Sequence, residues 1–307
     1  MARNSSEPGR PSPGNEPAGR QAGTSGDAAT RSAATRPKGI SWTHTLIMLH
    51  REVREAVLGC GREKTGDVNP KGDDVRAFDV VANDAAIAVL ERSSLPLVID
   101  SEEAGRREIG SGTPGYRIVL DPVDGSDNWS WQLPLSAVSC AVLPIDAALD
   151  PESVEAAIVG PLDQEMPALG QKGSGAWCGA VRLETSGVRH LADAAISIEL
   201  NHFAPPPRLA SLMADARGVR SYGCASRALA LVAAGAIDAH LDMRARLTAE
   251  SYLAGARLVI EAGGCVAGLD GGKLPAVHGL TDGIGLIAAA SRALCDEIVE
   301  RLGDDKS

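Results

Sequence analysis

The chain has 307 residues, enough for one large core or two smaller ones, and an ordinary 44% of them are hydrophobic. Aromatic residues make up only 3%, so Leu, Val, Ile and Ala must fill the core. A formal net charge of -10 argues against nonspecific nucleic-acid binding, which needs basic patches. It leaves a phosphorylated substrate open, because bound cations can invert the local field.

Residues 1–38 are rich in Gly, Ser, Pro, Ala and Arg, with almost no large apolar side chains, and predict a disordered tail. The stretch lacks the apolar run of a signal peptide, and Glu7, Glu16 and Asp27 count against an Arg-rich transit peptide. Leu46, Leu49, Val53, Val57 and Leu58 predict an amphipathic helix over 43–58. A polar loop is expected at 64–74, then a second helix over 79–92 and a short strand at 97–99 that delivers Ser101, Glu102 and Glu103. The next strand covers 116–120. Apolar runs at 137–143, 156–159 and 175–183, separated by Gly, suggest an antiparallel sheet.

Past residue 191 the pattern becomes strands at 196–200, 239–242 and 284–288 alternating with helices at 206–216, 225–234, 250–262 and 291–302. Alternation of that kind suggests an α/β half. No apolar run spans a bilayer; the longest, 228–237, is about half the length needed. Cys60, Cys140, Cys178, Cys224, Cys265 and Cys295 are widely spaced and form no CxxC pair. They predict reduced, partly buried thiols in a cytoplasmic protein, and no zinc site.

The densest chemical signal is Leu120-Asp121-Pro122-Val123-Asp124-Gly125-Ser126-Asp127-Asn128-Trp129. Two carboxylates sit three residues apart at the end of a strand, where their hard oxygens suit Mg²⁺. Pro122 stiffens the turn and presents the Val123 carbonyl between them. Gly125 permits close backbone approach, and N–H groups where a helix opens suit a phosphate. Asp79 and Glu102 also lie at the ends of apolar runs. Taken singly, each of these two is more simply a capping or solvated carboxylate.

With these residues in place, the chain resembles the inositol monophosphatase / fructose-1,6-bisphosphatase superfamily, whose signature D-P-[IVL]-D-G-[ST]-x-N is matched at 121–128. Glu102-Glu103 is similar to the family's upstream acidic pair, and Asp79 to its helix-borne Asp. The segment 223–242 is similar to its G-S-x-x-L segment, and Glu261-Ala262-Gly263-Gly264 matches its E-A-G-G ending. The likeness runs over about 43–302 and looks most like archaeal-type members that accept both inositol phosphate and fructose bisphosphate.

The resemblance implies a layered αβαβα sandwich of α+β and α/β character. It further implies a tail at 1–38, a metal- and phosphate-binding domain at 39–190 and a domain at 191–307 that completes the substrate site. It implies a Mg²⁺-dependent phosphomonoesterase acting on a small sugar or cyclitol phosphate, with two or three Mg²⁺ ions as cofactor. Glu102, Asp121 and the Val123 carbonyl would hold a first ion, and Asp121 and Asp124 a second. Asp79 and Ser126 would orient the attacking water, and Gly125 and Ser126 would cradle the phosphate. Asp242, Glu250 and Ser251 fall where the family contacts substrate. Dimers are common in the family, which makes a homodimer a candidate assembly. No nucleic-acid or membrane partner is implied.

One position departs from the pattern. The family carries an Asp ten residues before the Glu of E-A-G-G, and here that residue is Ser251, preceded by Glu250. Serine is a poor, neutral Mg²⁺ ligand. Glu250 could reach in, though on a helix its side chain points about 100° away. Water could fill the place and leave a weakened second site, or activity could be lost. The alternatives to a sugar phosphatase are therefore an impaired homologue that binds a phosphorylated ligand, and a nucleotide 3′-phosphatase. Trp129 and Trp131 are expected to pack in the core, and so is Cys224.

Overall fold

The computed structural model describes residues 41–69, 72 and 74–303; the tail expected at 1–38 lies outside them. Helix α1 (Trp42–Leu58) buries Leu46, Leu49, Val53 and Val57 on one face, the helical period expected for it. It packs on helix α2 (Ala77–Arg92). Between them an antiparallel hairpin of β1 (Lys64–Val68) and β2 (Asp74–Arg76) replaces much of the expected loop. Every β1 side chain is exposed, so no apolar alternation marks the strand. Thr65 Oγ1 donates to the Val75 carbonyl at 3.1 Å, and Lys64 pairs with Asp74.

The larger sheet holds β3 (Leu97–Ser101), β4 (Gly105–Ile109), β5 (Tyr116–Asp124), β6 (Ala137–Pro144), β7 (Ala156–Pro161), β8 (Ala168–Gln171), β9 (Gly175–Cys178) and β10 (Val181–Leu183). Their spatial order is β10-β9-β8-β7-β6-β5-β3-β4. Neighbours are antiparallel except β3 and β5, which run parallel. The short helix α3 (Ser126–Ser130) follows β5.

The smaller sheet holds β11 (Ala195–Ile198), β12 (Gly218–Arg220), β13 (Ala239–Leu247), β14 (Cys265–Ala267) and β15 (Ile284–Ala289), ordered β12-β11-β13-β15-β14. Only β12, β11 and β13 are parallel; β13, β15 and β14 alternate in direction, so this half is mixed. Helices α4 (Pro207–Asp215), α5 (Ala225–Ala233), α6 (Ala249–Glu261) and α7 (Arg292–Gly303) complete it.

Three apolar clusters stack these elements into layers. Val138, Cys140 and Val142 of β6 face α1 and α2, while Ala137, Ala141 and Leu143 face α5 and α6. That two-residue alternation with both faces covered is why β5 to β7 read as continuous apolar runs. On the far side of α5 and α6 lie Leu286 and Ala288 of β15, while Ile287 and Ala289 turn towards α4 and α7. The result is the αβαβα sandwich. In its middle layer α6 lies close against α5 at Gly255, where an added Cβ would come within 2.6 Å of Leu229 Cβ. All six cysteines are free, three buried and three half-buried.

His240 on β13 is buried, with its Nδ1 3.2 Å from Ser197 Oγ on the neighbouring β11. Burial lowers its pKa from the ordinary 6.5 to about 4. The unfolded chain therefore binds a proton that the folded chain refuses. The stability this group contributes is complete above pH 6.5 and is lost as pH falls from 6.5 towards about 4. Denaturant titrations near pH 7 and pH 5 are expected to show a loss of about 2 kcal/mol from this residue, a loss absent from His240→Asn. An equal loss in the variant would remove His240 as its source.

Candidate active site

The parallel pairing of β3 with β5 sets the site, because it ends both strands on the same side. Ser101 pairs with Leu120, so Glu102, just past the end of β3, comes beside Asp121 of β5, and the Glu102 N–H donates to the Leu120 carbonyl at 3.0 Å. The sequence suggests a turn after Leu120, but β5 instead continues to Asp124. It does so through a bulge, since Asp121 faces Ser139 of β6 and Asp124 faces Ala137. Pro122, which has no N–H to give the ladder, sits in that bulge.

Gly125 then turns the chain at φ 79°, and α3 begins. A Cβ at Gly125 would lie 2.9 Å from Cys224 Cβ and 3.2 Å from the Gly223 carbonyl. Ser136 Oγ donates to the Gly125 carbonyl at 2.7 Å. Asn128 Nδ2 donates to the Tyr222 carbonyl at 2.7 Å, fastening α3 to the loop before α5.

Asp79, Glu102, Glu103, Asp121, Val123, Asp124, Gly125, Ser126 and Ser251 all line one cavity of about 340 Å³. Asp121 Oδ1 accepts from the Val123 N–H at 3.0 Å and Oδ2 from Ser251 Oγ at 3.3 Å. Asp124 Oδ2 accepts from the Ser226 N–H at 2.7 Å and from Cys224 Sγ at 3.2 Å. Asp79, in the first turn of α2, accepts the Arg76 N–H at 2.9 Å on Oδ2, while its buried Oδ1 has no hydrogen-bond partner.

Burial pushes the Asp79 carboxyl up to about 6, opposed by the Arg76 N–H and reinforced by the Glu102 charge. Burial likewise pushes Asp124 up to about 6, opposed by Ser226 and Cys224 and again reinforced by Glu102. The floor of the cavity thus crowds like charges in a poorly solvated place.

Two expected residues lie apart from this lining. Asp242 is fully buried, and both its oxygens hold Arg244: Oδ1 accepts the Arg244 N–H at 2.9 Å and Oδ2 accepts Nη2 at 2.7 Å. The Glu250 side chain is turned inward to accept from Thr248 Oγ1, and its carbonyl accepts from Ser139 Oγ at 2.7 Å. Glu250 therefore does not reach into the place opened by Ser251; Ser251 occupies it itself, against Asp121.

One packing expectation is corrected and another extended. Trp129 is buried under Arg62, whose guanidinium carbon lies 5.5 Å from the ring centroid, but Trp131 is 66% exposed. Trp131 lines a neighbouring hollow with Tyr222 and Asn201. The turn after α3 carries it past the core face. Cys224 is buried as expected, yet it also donates to Asp124 and so belongs to the site. Lys64 and Asn69, from the expected polar loop, also line the cavity, together with Arg76, which the sequence pattern did not single out. Arg76 Nη2 lies 2.6 Å from Asp127 Oδ1. Its signal was position alone: the residue before α2 must sit beside Asp79.

A sequence profile of the inositol monophosphatase family matches residues 45–304. The chain belongs to that family. A fructose-1,6-bisphosphatase/inositol-1-monophosphatase from Methanothermobacter thermautotrophicus is 29% identical over 270 residues, 85% of this chain and 96% of the relative. An inositol-1-monophosphatase from Mesorhizobium japonicum is 32% identical over 208 residues, 66% of this chain and 74% of the relative. The fold is that of the solved extragenic suppressor protein suhB from Bartonella henselae, with a TM-score of 0.71 at 23% identity, covering 86% of this chain and 99% of that one. Membership makes the chain a phosphatase, a hydrolase of phosphoric monoesters. Among the described residues, no helix is long and apolar enough to cross a membrane.

The donor set suits a hard cation. Asp79, Glu102, Glu103, Asp121, Asp124, Ser126 and Ser251 all offer oxygen to the cavity, and Asp79 Oδ1 is buried without a hydrogen-bond partner. Among the described residues, no three His, Cys, Asp or Glu side chains are already drawn together as a metal site. Three of the carboxylates instead rest on protein donors, as the hydrogen bonds to Asp79, Asp121 and Asp124 show.

Replacing Gly125 by Ala is expected to cost about 1–3 kcal/mol, because positive φ and a close neighbour act together. Gly187→Ala is the control, since Gly187 also has positive φ, at 70°, but open space around it. Equal destabilisation of the two by urea titration would mean that the Cys224 contact carries no weight.

Proposed function

We propose that the chain hydrolyses a small sugar or cyclitol monoester, such as an inositol monophosphate or a phosphate of fructose 1,6-bisphosphate, with Mg²⁺ bound on the carboxylate floor. The observation that carries this is the convergence of Asp79, Glu102, Asp121, Asp124 and the Gly125–Ser126 turn on one cavity. Both substrate classes appear in the names of the relatives.

Glu102, Asp121, Asp124 and the Val123 carbonyl would hold Mg²⁺. When bound, the metal supplies positive charge to neutralise the phosphoryl oxygens and activate water. The chain's own groups do the rest. The Gly125 and Ser126 backbone N–H groups would receive the phosphate. Asp79, tethered through one oxygen and open at the other, is placed to take the proton of the attacking water. Ser126 Oγ, at the start of α3, would help to orient that water. Bonds from Ser226 and Cys224 keep Asp124 from rotating away.

We assign Ser251 to holding Asp121, and the segment 191–307 to closing the substrate side of the cavity. Asp242, locked to Arg244, acts on the substrate only through that arginine. The exposed Trp131 and Leu133 offer apolar surface of the kind a homodimer would cover. A second reading, a site that binds a phosphorylated ligand with little turnover, is favoured by one observation: a neutral hydroxyl stands against Asp121 where the family has a carboxylate.

Phosphate release from inositol 1-phosphate, fructose 1,6-bisphosphate and adenosine 3′,5′-bisphosphate, with Mg²⁺ titrated, tests the assignment. Mg²⁺-dependent turnover of a sugar or cyclitol ester is expected, and Asp121→Asn should lower it by more than about 100-fold. Full activity in that variant would sink the metal assignment. A preference for the adenosine ester would replace the substrate class.

Ser251→Asp adds a charge against Asp121. It is expected to lower Tm in chelator, enlarge the rise in Tm on adding Mg²⁺, and lower the half-saturating Mg²⁺ concentration by about tenfold. Turnover appearing only in Ser251→Asp would establish the second reading.

A further inference from the structure

Among the described residues, two cations line the carboxylate cavity, and they are held differently. The Lys64 side chain is 62% exposed and pairs with the equally exposed Asp74 across the β1–β2 hairpin. The Arg76 side chain is only 14% exposed. Its backbone is fixed at the end of β2, where it pairs with Lys64 and its N–H donates to Asp79 Oδ2 at 2.9 Å. Its guanidinium carbon lies 5.9 Å from the centroid of the buried Phe78 ring, and Nη2 donates to Asp127 Oδ1 at 2.6 Å. Asp127 directly follows Ser126, and all of Arg76, Gly125, Ser126 and Asp127 line the same cavity. The ion pair therefore holds the guanidinium near the Gly125–Ser126 turn.

We propose that Arg76 is a phosphate-binding residue, whose guanidinium donates to the oxygens of the phosphoryl group received at Gly125 and Ser126. The inference rests on the reading of that turn as the phosphate site.

Charge and geometry favour Arg76 for this task. Seven Asp and Glu residues line the cavity, so a phosphate monoester entering it meets like charge and needs fixed positive charge where its oxygens arrive. A guanidinium is always ionised and carries five N–H donors in a planar fork that matches a phosphate. The donor that holds Asp127 leaves others to give. The exposed Lys64 ammonium is a hydrated point charge without that fork, and its charge is screened by solvent. Asp127 has two opposed effects. It keeps the guanidinium in place, and it competes with an arriving phosphate for the same donors.

Inorganic phosphate, titrated calorimetrically into the full chain at saturating Mg²⁺, tests the proposal. Arg76→Met is expected to weaken binding by about 10- to 100-fold, the loss of a charge-assisted hydrogen bond. Arg76→Lys keeps the charge without the fork and should weaken it by less. Asp127→Asn removes the competing carboxylate and should tighten binding by about two- to threefold. An ion pair that only fastened α2 to α3 would weaken binding in Arg76→Met and Asp127→Asn alike, and that result would overturn the proposal. Should Arg76→Met fold poorly, Arg76→Lys against Asp127→Asn decides by the same opposition of sign. Unchanged affinity in Arg76→Met would also overturn it, while phosphate release from an ester by wild type would leave the hydrolase reading standing. Wild type that binds phosphate and hydrolyses no ester would fail the hydrolase reading, and a loss of binding in Arg76→Met would still support Arg76. No phosphate binding by wild type would overturn both.

Discussion

The structure is organised around a repulsion. Asp79, Glu102, Asp121 and Asp124 are brought to one cavity from α2, β3 and β5, and their charges oppose one another where water is scarce. Unlike an apolar cluster, such a group does not assemble itself; the scaffold must hold it. Here the holding is done by hydrogen bonds, with the Arg76, Val123 and Ser226 N–H groups each giving to a different carboxylate. The parallel pair β3–β5, the bulge at Pro122 and the start of α2 place those donors. The larger sheet is otherwise antiparallel, so the one parallel pairing is where two carboxylate-bearing strand ends meet.

The middle helical layer completes the arrangement from the other side. Gly255 lets α6 lie against Leu229 of α5, and Ser139 Oγ on β6 clasps the Glu250 carbonyl in the first turn of α6. Packing and a backbone bond thus place Ser251 beside Asp121, with no need for a charge at position 251. The scaffold would present whatever side chain occupies that position to the same carboxylate.

The parts of this arrangement legible in the sequence were those with strong local chemistry. The aliphatic runs of β5 to β7 announce buried strands, and the 121–128 motif announces the turn, because few backbones need Pro, Gly and two carboxylates in that order. The hairpin β1–β2 escaped because β1 is exposed throughout and Val75 is the one buried residue of β2, so no apolar alternation marks either strand. Strands β4, β12 and β14 escaped because three to five residues carry too little periodicity to separate them from loop. Partners distant in sequence were also hidden. Nothing local says that Cys224 gives its hydrogen to Asp124, that Glu250 turns inward to Thr248, or that Trp131 passes the core while Trp129 enters it.

The scarcity of aromatic residues has an optical consequence. The chain holds four tryptophans, and two of them ride on the few residues that follow the Gly125 turn. Trp129 lies in the core beneath a guanidinium, and Trp131 stands in water two residues on. Their emission should differ in colour and in access to a soluble quencher. Any ligand that tightens or displaces α3 would therefore shift the intrinsic fluorescence of the whole protein, with no label attached.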